Sequence, residues 1–144
     1  MTTKGKMIEI LLVEDNPGDV RLTREALMEG KIRNALTVAR DGQEALDYLL
    51  KKEDHPRPDV ILLDLNLPRK NGLEVLSIIK NDENLKKIPV VILTTSEDER
   101  DILQSYELHA NCYITKPVEL HNFLEVMRCL QNFWLEIVKL PGTE

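Results

Sequence analysis

The sequence predicts a doubly wound α/β domain, a three-layer α/β/α sandwich built on a parallel sheet. Three observations lead there. Apolar, strand-like runs alternate with amphipathic helical stretches along the chain. The runs Ile8-Glu9-Ile10-Leu11-Leu12-Val13, Val60-Ile61-Leu62-Leu63 and Val90-Val91-Ile92-Leu93 are near-continuous Val, Ile and Leu, the pattern of strands covered on both faces. Each run also releases polar groups at the same end: Glu14-Asp15, Asp64, Thr94-Thr95-Ser96, and Lys116-Pro117 after Cys112-Tyr113-Ile114-Thr115. In an open parallel sheet that carboxyl end is where ligands bind.

The elements follow in order. After the first strand, Asn16 suits a helix N-cap with Pro17 at the first helical position. Val20, Leu22, Ala26 and Leu27 carry a helical period that ends near Gly30. Ala35 to Ala39 suits a second strand, Asp41-Gly42 a turn, and Ala45, Leu46, Leu49 and Leu50 the apolar stripe of the next helix. The charged stretch 51–58 carries two prolines and reads as a loop. The third strand follows, then Asn71-Gly72 and a helix on Leu73, Val75, Leu76 and Ile79. A polar loop, 82–87, precedes the fourth strand. Ser96 with Glu99 three residues later forms the sequence of a capping box, opening a helix through Ile102, Leu103 and Tyr106. The fifth strand spans 111–115, and a last helix begins near Glu119. Right-handed crossovers between five parallel strands then put helices on both faces.

Composition narrows the function classes. A chain of 144 residues, 42% hydrophobic, is expected to form one domain over 1–144 with a proper core. The net charge of −6 and a pI near 5.2 argue against a nucleic-acid surface. Cys112 and Cys129 lack metal-ligand spacing and read as buried thiols in a reducing compartment, hence a cytoplasmic protein. Residues 1–7 carry no secretory signal, and no apolar run approaches a membrane span.

The polar strand ends carry the chemistry. Singly, Glu14 and Asp15 can be ordinary acids at a helix N-terminus, Lys116 a structural ion-pair partner, and Thr94 a β-branched strand end. Asp64 is harder to dismiss, because it closes an unbroken apolar run. One arrangement explains all of them. Crowded carboxylates repel unless a divalent cation neutralises them, and oxygen-only ligands suit magnesium. Asp64 is then free to attack phosphorus, since carboxylates serve as covalent nucleophiles in phosphoryl transfer. The cation and Lys116 would stabilise charge on the transferring oxygens, and the Thr94 hydroxyl would bond the new phosphate. No histidine is placed as a general base: His55 falls in a loop, and His109 and His121 flank the last strand. There is no glycine-rich nucleotide loop.

These residues strongly resemble the receiver domain of two-component response regulators. The matching pieces are Leu12-Val13-Glu14-Asp15-Asn16, Ala39-Arg40-Asp41-Gly42-Gln43-Glu44-Ala45-Leu46, Leu63-Asp64-Leu65-Asn66-Leu67-Pro68, Asn71-Gly72, Thr94 and Lys116-Pro117, over about residues 7–130. The resemblance implies a flavodoxin-like sheet of strand order 2-1-3-4-5. It implies Asp64 as phosphoacceptor for a sensor histidine kinase, and a Mg2+ site of Glu14, Asp15, Asp64 and the Asn66 backbone carbonyl. It further implies Lys116 on the phosphoryl group, a cis peptide before Pro117, and Thr94 and Tyr113 as the moving switch residues. Glu14 stands where aspartate is commoner in the family, and Arg69-Lys70 makes the loop after Asp64 unusually basic.

The last helix extends the pattern. Leu120, Phe123, Met127, Leu130, Trp134 and Ile137 are spaced alternately by three and four residues, and Phe133 adjoins the single tryptophan. This heptad-like stripe either covers its own domain or is partly exposed as a homodimer or docking surface of Phe123, Met127, Leu130, Phe133, Trp134 and Ile137. Within the extended helix and tail, 131–144, the stretch Phe133-Trp134-Leu135-Glu136-Ile137-Val138-Lys139-Leu140-Pro141 resembles the tail of stand-alone regulators paired with bacterial phytochromes, which points to a phytochrome-type kinase. A chain of this length leaves no room for an output domain, so signalling through protein contacts, or a place as an intermediate in a phosphorelay, is expected, and not enzymatic turnover. Three rivals remain. A dehalogenase-type phosphatase would want an acid where Asn66 stands. A degenerate receiver would lack Asp15, Asp64, Thr94 or Lys116. A flavin binder would place phosphate against acids.

Overall fold

The computed structural model describes residues 7–51, 55–68, 71–94, 104, 106–116, 121, 123 and 125–126. Eight elements have defined bounds. They are β1 (Ile8–Val13), α1 (Pro17–Glu29), β2 (Asn34–Ala39), α2 (Gly42–Leu50), β3 (Val60–Leu63), α3 (Gly72–Lys80), β4 (Val90–Thr94) and β5 (Cys112–Thr115). Gln104, Tyr106 and Glu107 are helical, as are His121, Phe123, Glu125 and Val126, where the sequence predicts its fourth and fifth helices. Ser96, Glu99, Glu119, Leu120 and the peptide before Pro117 lie outside the described residues.

All strands pair in parallel, in the order β2-β1-β3-β4-β5. Side chains alternate across a pleated sheet, so each strand feeds two cores. Leu11, Val13, Ile61, Leu63, Val90 and Ile92 point to the face closed by Ala45, Leu46 and Leu49 of α2 and Val75, Leu76 and Ile79 of α3. Ile10, Leu12, Val60, Leu62, Val91, Leu93 and Ile114 point to the other, closed by Ala26 and Leu27 of α1 and by Phe123. Residues of β3 are buried at every position, which is why its run shows no polar alternation. The predicted sandwich and strand order are therefore the observed ones.

The differences are local. Leu22 is exposed; Thr23 takes its place on the buried face of α1, its hydroxyl donating to the carbonyl of Asp19 at 3.0 Å. Asp41 is the N-cap of α2, accepting from the Glu44 amide at 2.8 Å, so the expected turn is the helix start itself. Helix α1 ends near Gly30, as expected, with that glycine as its C-cap. Gly30 has φ −80°, and Lys31 takes the left-handed position at φ 57°. The amides of Lys31 and Ile32 return to the carbonyls of Met28 and Leu27, each at 3.0 Å, the paired bonds of a Schellman ending. Phe123 is 1% exposed within the second core. It is withdrawn from the docking surface: this position of the stripe covers its own domain. Met127, Leu130, Phe133, Trp134 and Ile137 lie outside the described residues.

Candidate functional site

Two adjacent strands bring the acids together. Val13 of β1 is the register partner of Leu63 of β3, and the Asp64 amide donates to the Val13 carbonyl at 3.1 Å. The residues that follow, Glu14-Asp15 and Asp64, leave the sheet at one level. Carboxylate oxygens of Glu14, Asp15 and Asp64 all lie within 4.8 Å of one another. Glu14 and Asp64 are buried, whereas Asp15 is exposed.

Lys116 enters from the end of β5. Its ammonium donates to Glu14 Oε1 at 2.5 Å, to Asp19 Oδ2 at 2.9 Å and to Asp64 Oδ2 at 2.9 Å. An ammonium has three protons to donate, and here each has a carboxylate. The other oxygen of Asp64, Oδ1, accepts from the Asn66 amide at 2.9 Å, and Glu14 Oε2 accepts from the Asn16 amide at 3.2 Å. Backbone donors thus aim both buried acids. Gly72 closes the back of the site: a Cβ there would run into the Asp64 carbonyl oxygen and Leu65 Cα, so only glycine fits beneath the loop that carries Asp64.

The electrostatics follow from four acids around one base. Burial pushes the Glu14 carboxyl up to about 7, and repulsion from Asp64 adds to it, against the opposing bonds from Lys116 and the Asn16 amide. Burial alone would lower Lys116, but its bonds to Glu14, Asp19 and Asp64 outweigh that and raise it above the ordinary lysine value. The ammonium is accordingly charged at neutral pH, and the surrounding carboxylates exceed its charge. Hard oxygen donors with surplus negative charge suit a divalent cation, and Glu14, Asp15 and Asp64 are the residues that fit one.

The remaining predicted residues stand as follows. Thr94 is the last residue of β4, with Thr115 as its register partner; its side chain lies outside the description. Asn66 is exposed, directly after the Asp64 loop. Tyr113 is half-buried against the α2–α3 core face. Of the histidines, His55 stacks on Tyr48 with ring centroids 3.6 Å apart, His109 sits in the turn before β5 at φ 71°, and His121 faces Glu125 at 3.7 Å. Cys112 is half-buried beside the second core. Sequence reasoning missed Asp19. Its only local signal is an acid three residues after the N-cap, which reads as a helix-dipole partner, while the lysine it meets is 97 positions away.

The model of the response regulator receiver domain matches residues 10–128. The chain belongs to this receiver family. The receiver is 50% identical over 136 residues to the response regulator Rcp1 of a Synechocystis species, covering 92% of each chain. A crystal structure of the Mn2+-bound form of Rcp1 superposes with TM-score 0.76 at 49% identity, covering 93% of this chain and 99% of that one. The phosphorylated cyanobacterial phytochrome response regulator RcpA gives TM-score 0.76 at 48% identity, covering 90% and 94%. The receiver is a signalling protein of two-component type, and its cluster of Glu14, Asp15 and Asp64 can hold a divalent cation. Among the described residues, no helix is long and apolar enough to cross a membrane.

Proposed function

We propose that Asp64 accepts a phosphoryl group from the phosphohistidine of a sensor histidine kinase, in a Mg2+-dependent reaction. An Asp64 oxygen forms the new O–P bond as the P–N bond of the phosphohistidine breaks, and the leaving imidazole keeps the electron pair and takes a proton. The observation that carries this is the Asp64–Lys116 pair: a buried carboxylate at a strand end, 2.9 Å from a buried ammonium and beside two further acids. Lys116 balances charge on the phosphoryl oxygens. Glu14, Asp15, Asp64 and the Asn66 carbonyl would hold Mg2+, which when bound neutralises the carboxylates and the incoming oxygens.

Thr94 and Tyr113 form the readout, Thr94 bonding the phosphoryl group and Tyr113 repacking behind it, a two-state switch biased by new charge-assisted contacts. Similarity to the cyanobacterial phytochrome response regulator RcpA supports a phytochrome-type kinase as donor, and a receiver serving such a kinase would work in the cytoplasm. The apolar spacing of Met127, Leu130, Phe133, Trp134 and Ile137 supports a homodimer or docking surface beyond Phe123; dilution light scattering showing a strict monomer in both phosphorylation states removes it.

Intact mass after incubation with acetyl phosphate and Mg2+ tests the main reading. The natural chain should gain one base-labile phosphoryl group, lost without Mg2+ and absent in Asp64→Asn. No gain under conditions where Mg2+ binding is verified overturns it.

A further inference from the structure

We infer that Asp19 is a positioning residue for Lys116, holding one of its N–H groups through phosphoryl transfer so that the other two face the reacting oxygens. The inference rests on the phosphoacceptor reading above. Three carboxylates share the ammonium: Glu14, Asp19 and Asp64. Glu14 and Asp64 belong to the group that fits a divalent cation, and Asp19 does not. Once a cation and a phosphoryl group engage Glu14 and Asp64, their oxygens are shared or consumed. Asp19 is the acceptor that remains to Lys116 in both states.

The helix start explains why this aspartate is available. In α3 the acid at the third helical position folds back: Glu74 Oε1 accepts from the amide of its own N-cap, Asn71, at 3.2 Å. In α2, Glu44 Oε1 accepts from the Arg40 amide at 2.8 Å. Helix α1 differs. Its N-cap amide, on Asn16, is already bonded to Glu14, and the acid at the same position is the shorter Asp19. That carboxylate turns to Lys116 instead. Its backbone is pinned on both sides, the amide donating to Asn16 Oδ1 at 3.1 Å and the carbonyl accepting from the buried Thr23 hydroxyl at 3.0 Å. The tether therefore starts from a fixed point, while the lysine stem it holds has four rotatable bonds. Asp19 keeps 31% of its side chain exposed, so replacing it opens no buried void.

In the reaction an Asp64 oxygen forms the O–P bond as the donor's bond to phosphorus breaks and its electron pair leaves with the donor; Lys116 keeps its protons throughout. Losing the tether leaves the ammonium mobile at that moment. The test is the phosphorylation rate of the full chain by acetyl phosphate at saturating Mg2+, followed by intact mass, with Mg2+ affinity read separately from thermal-shift titration. Asp19→Asn should slow the saturating rate about tenfold, the value of one charge-assisted hydrogen bond, with Mg2+ affinity changed by less than about threefold. Asp19→Glu should restore part of the rate. In a Lys116→Met background, Asp19→Asn should slow nothing further, because the pair acts as one unit. A natural rate in Asp19→Asn, or equal slowing with and without Lys116, overturns the inference. A natural chain that takes up no phosphoryl group overturns the phosphoacceptor reading and this inference with it, an outcome distinct from either.

Discussion

Gly72, the first residue of α3, packs against the backbone of Asp64 so closely that a Cβ at position 72 would meet the Asp64 carbonyl oxygen and Leu65 Cα. Its amide also donates to the Leu65 carbonyl at 3.0 Å. Its φ is not in the left-handed region, so the requirement for glycine is steric. The start of α3 is thereby locked to the loop that presents the acceptor carboxylate.

Gly72→Ala is consequently expected to push that loop out of place. The main chain cannot yield as a flexible side chain would, so stability should fall by about 1–3 kcal/mol. Phosphorylation by acetyl phosphate should drop as well, even below the melting temperature. Urea unfolding and the phosphorylation rate check both; unchanged stability and rate would show that the loop has slack.

Glu14 makes apo stability depend on pH. Its carboxyl is pushed up to about 7 from an ordinary 4.5, chiefly by burial. Between those values the folded chain holds a proton that the unfolded chain releases. The contribution of Glu14 is thus fully present below about pH 4.5 and lost as pH rises through about 7. Glu14→Gln should remove this dependence. At pH 8 without metal it should stabilise by on the order of 1 kcal/mol, a modest gain because the new amide group faces the Asn16 N–H. Near pH 5 the two proteins should differ little. Urea midpoints at the two pH values decide the matter, and a destabilised variant at pH 8 would contradict the repulsion argument.

A divalent cation should stabilise the fold by mass action. At Mg2+ a hundredfold above its dissociation constant the gain is about 2.7 kcal/mol, visible as a rise in melting temperature that a chelator reverses. Asp15→Asn should abolish the rise while leaving apo stability near that of the natural chain, because Asp15 is exposed. A full Mg2+ response in Asp15→Asn would remove that residue from the site.

Lys31 carries avoidable strain at φ 57°. Lysine pays a steric cost in the left-handed region that glycine does not. Lys31→Gly should therefore stabilise by about 0.5–1 kcal/mol after the entropy of the extra glycine is subtracted. Chemical denaturation would reveal it, and a loss of stability would mean the lysine side chain makes a compensating contact.

Much of the molecule was legible from the chain itself. Buried parallel strands have to be apolar on both faces, so β1, β3 and β4 stand out as unbroken runs, and chain order puts Glu14 and Asp15 after β1, Asp64 after β3 and Lys116 after β5, all at carboxyl ends. Helix starts are equally local, since Asn16 and Asn71 cap within three residues of themselves. Tertiary structure decided the rest. Which acids reach Lys116 depends on the pairing of β1 with β3 and of β4 with β5, and the choice of Asp19 follows from Glu14 having taken the Asn16 amide first. Phe123 belongs to the core because the α1 face of the sheet leaves space for it there, a fact no spacing along the helix records. The left-handed turn falls on Lys31 and not on Gly30 because the amides of Lys31 and Ile32 must both return to α1. Local periodicity encodes what each segment is. Contacts between segments far apart in sequence are set by register and packing, and these exist only once the sheet has formed.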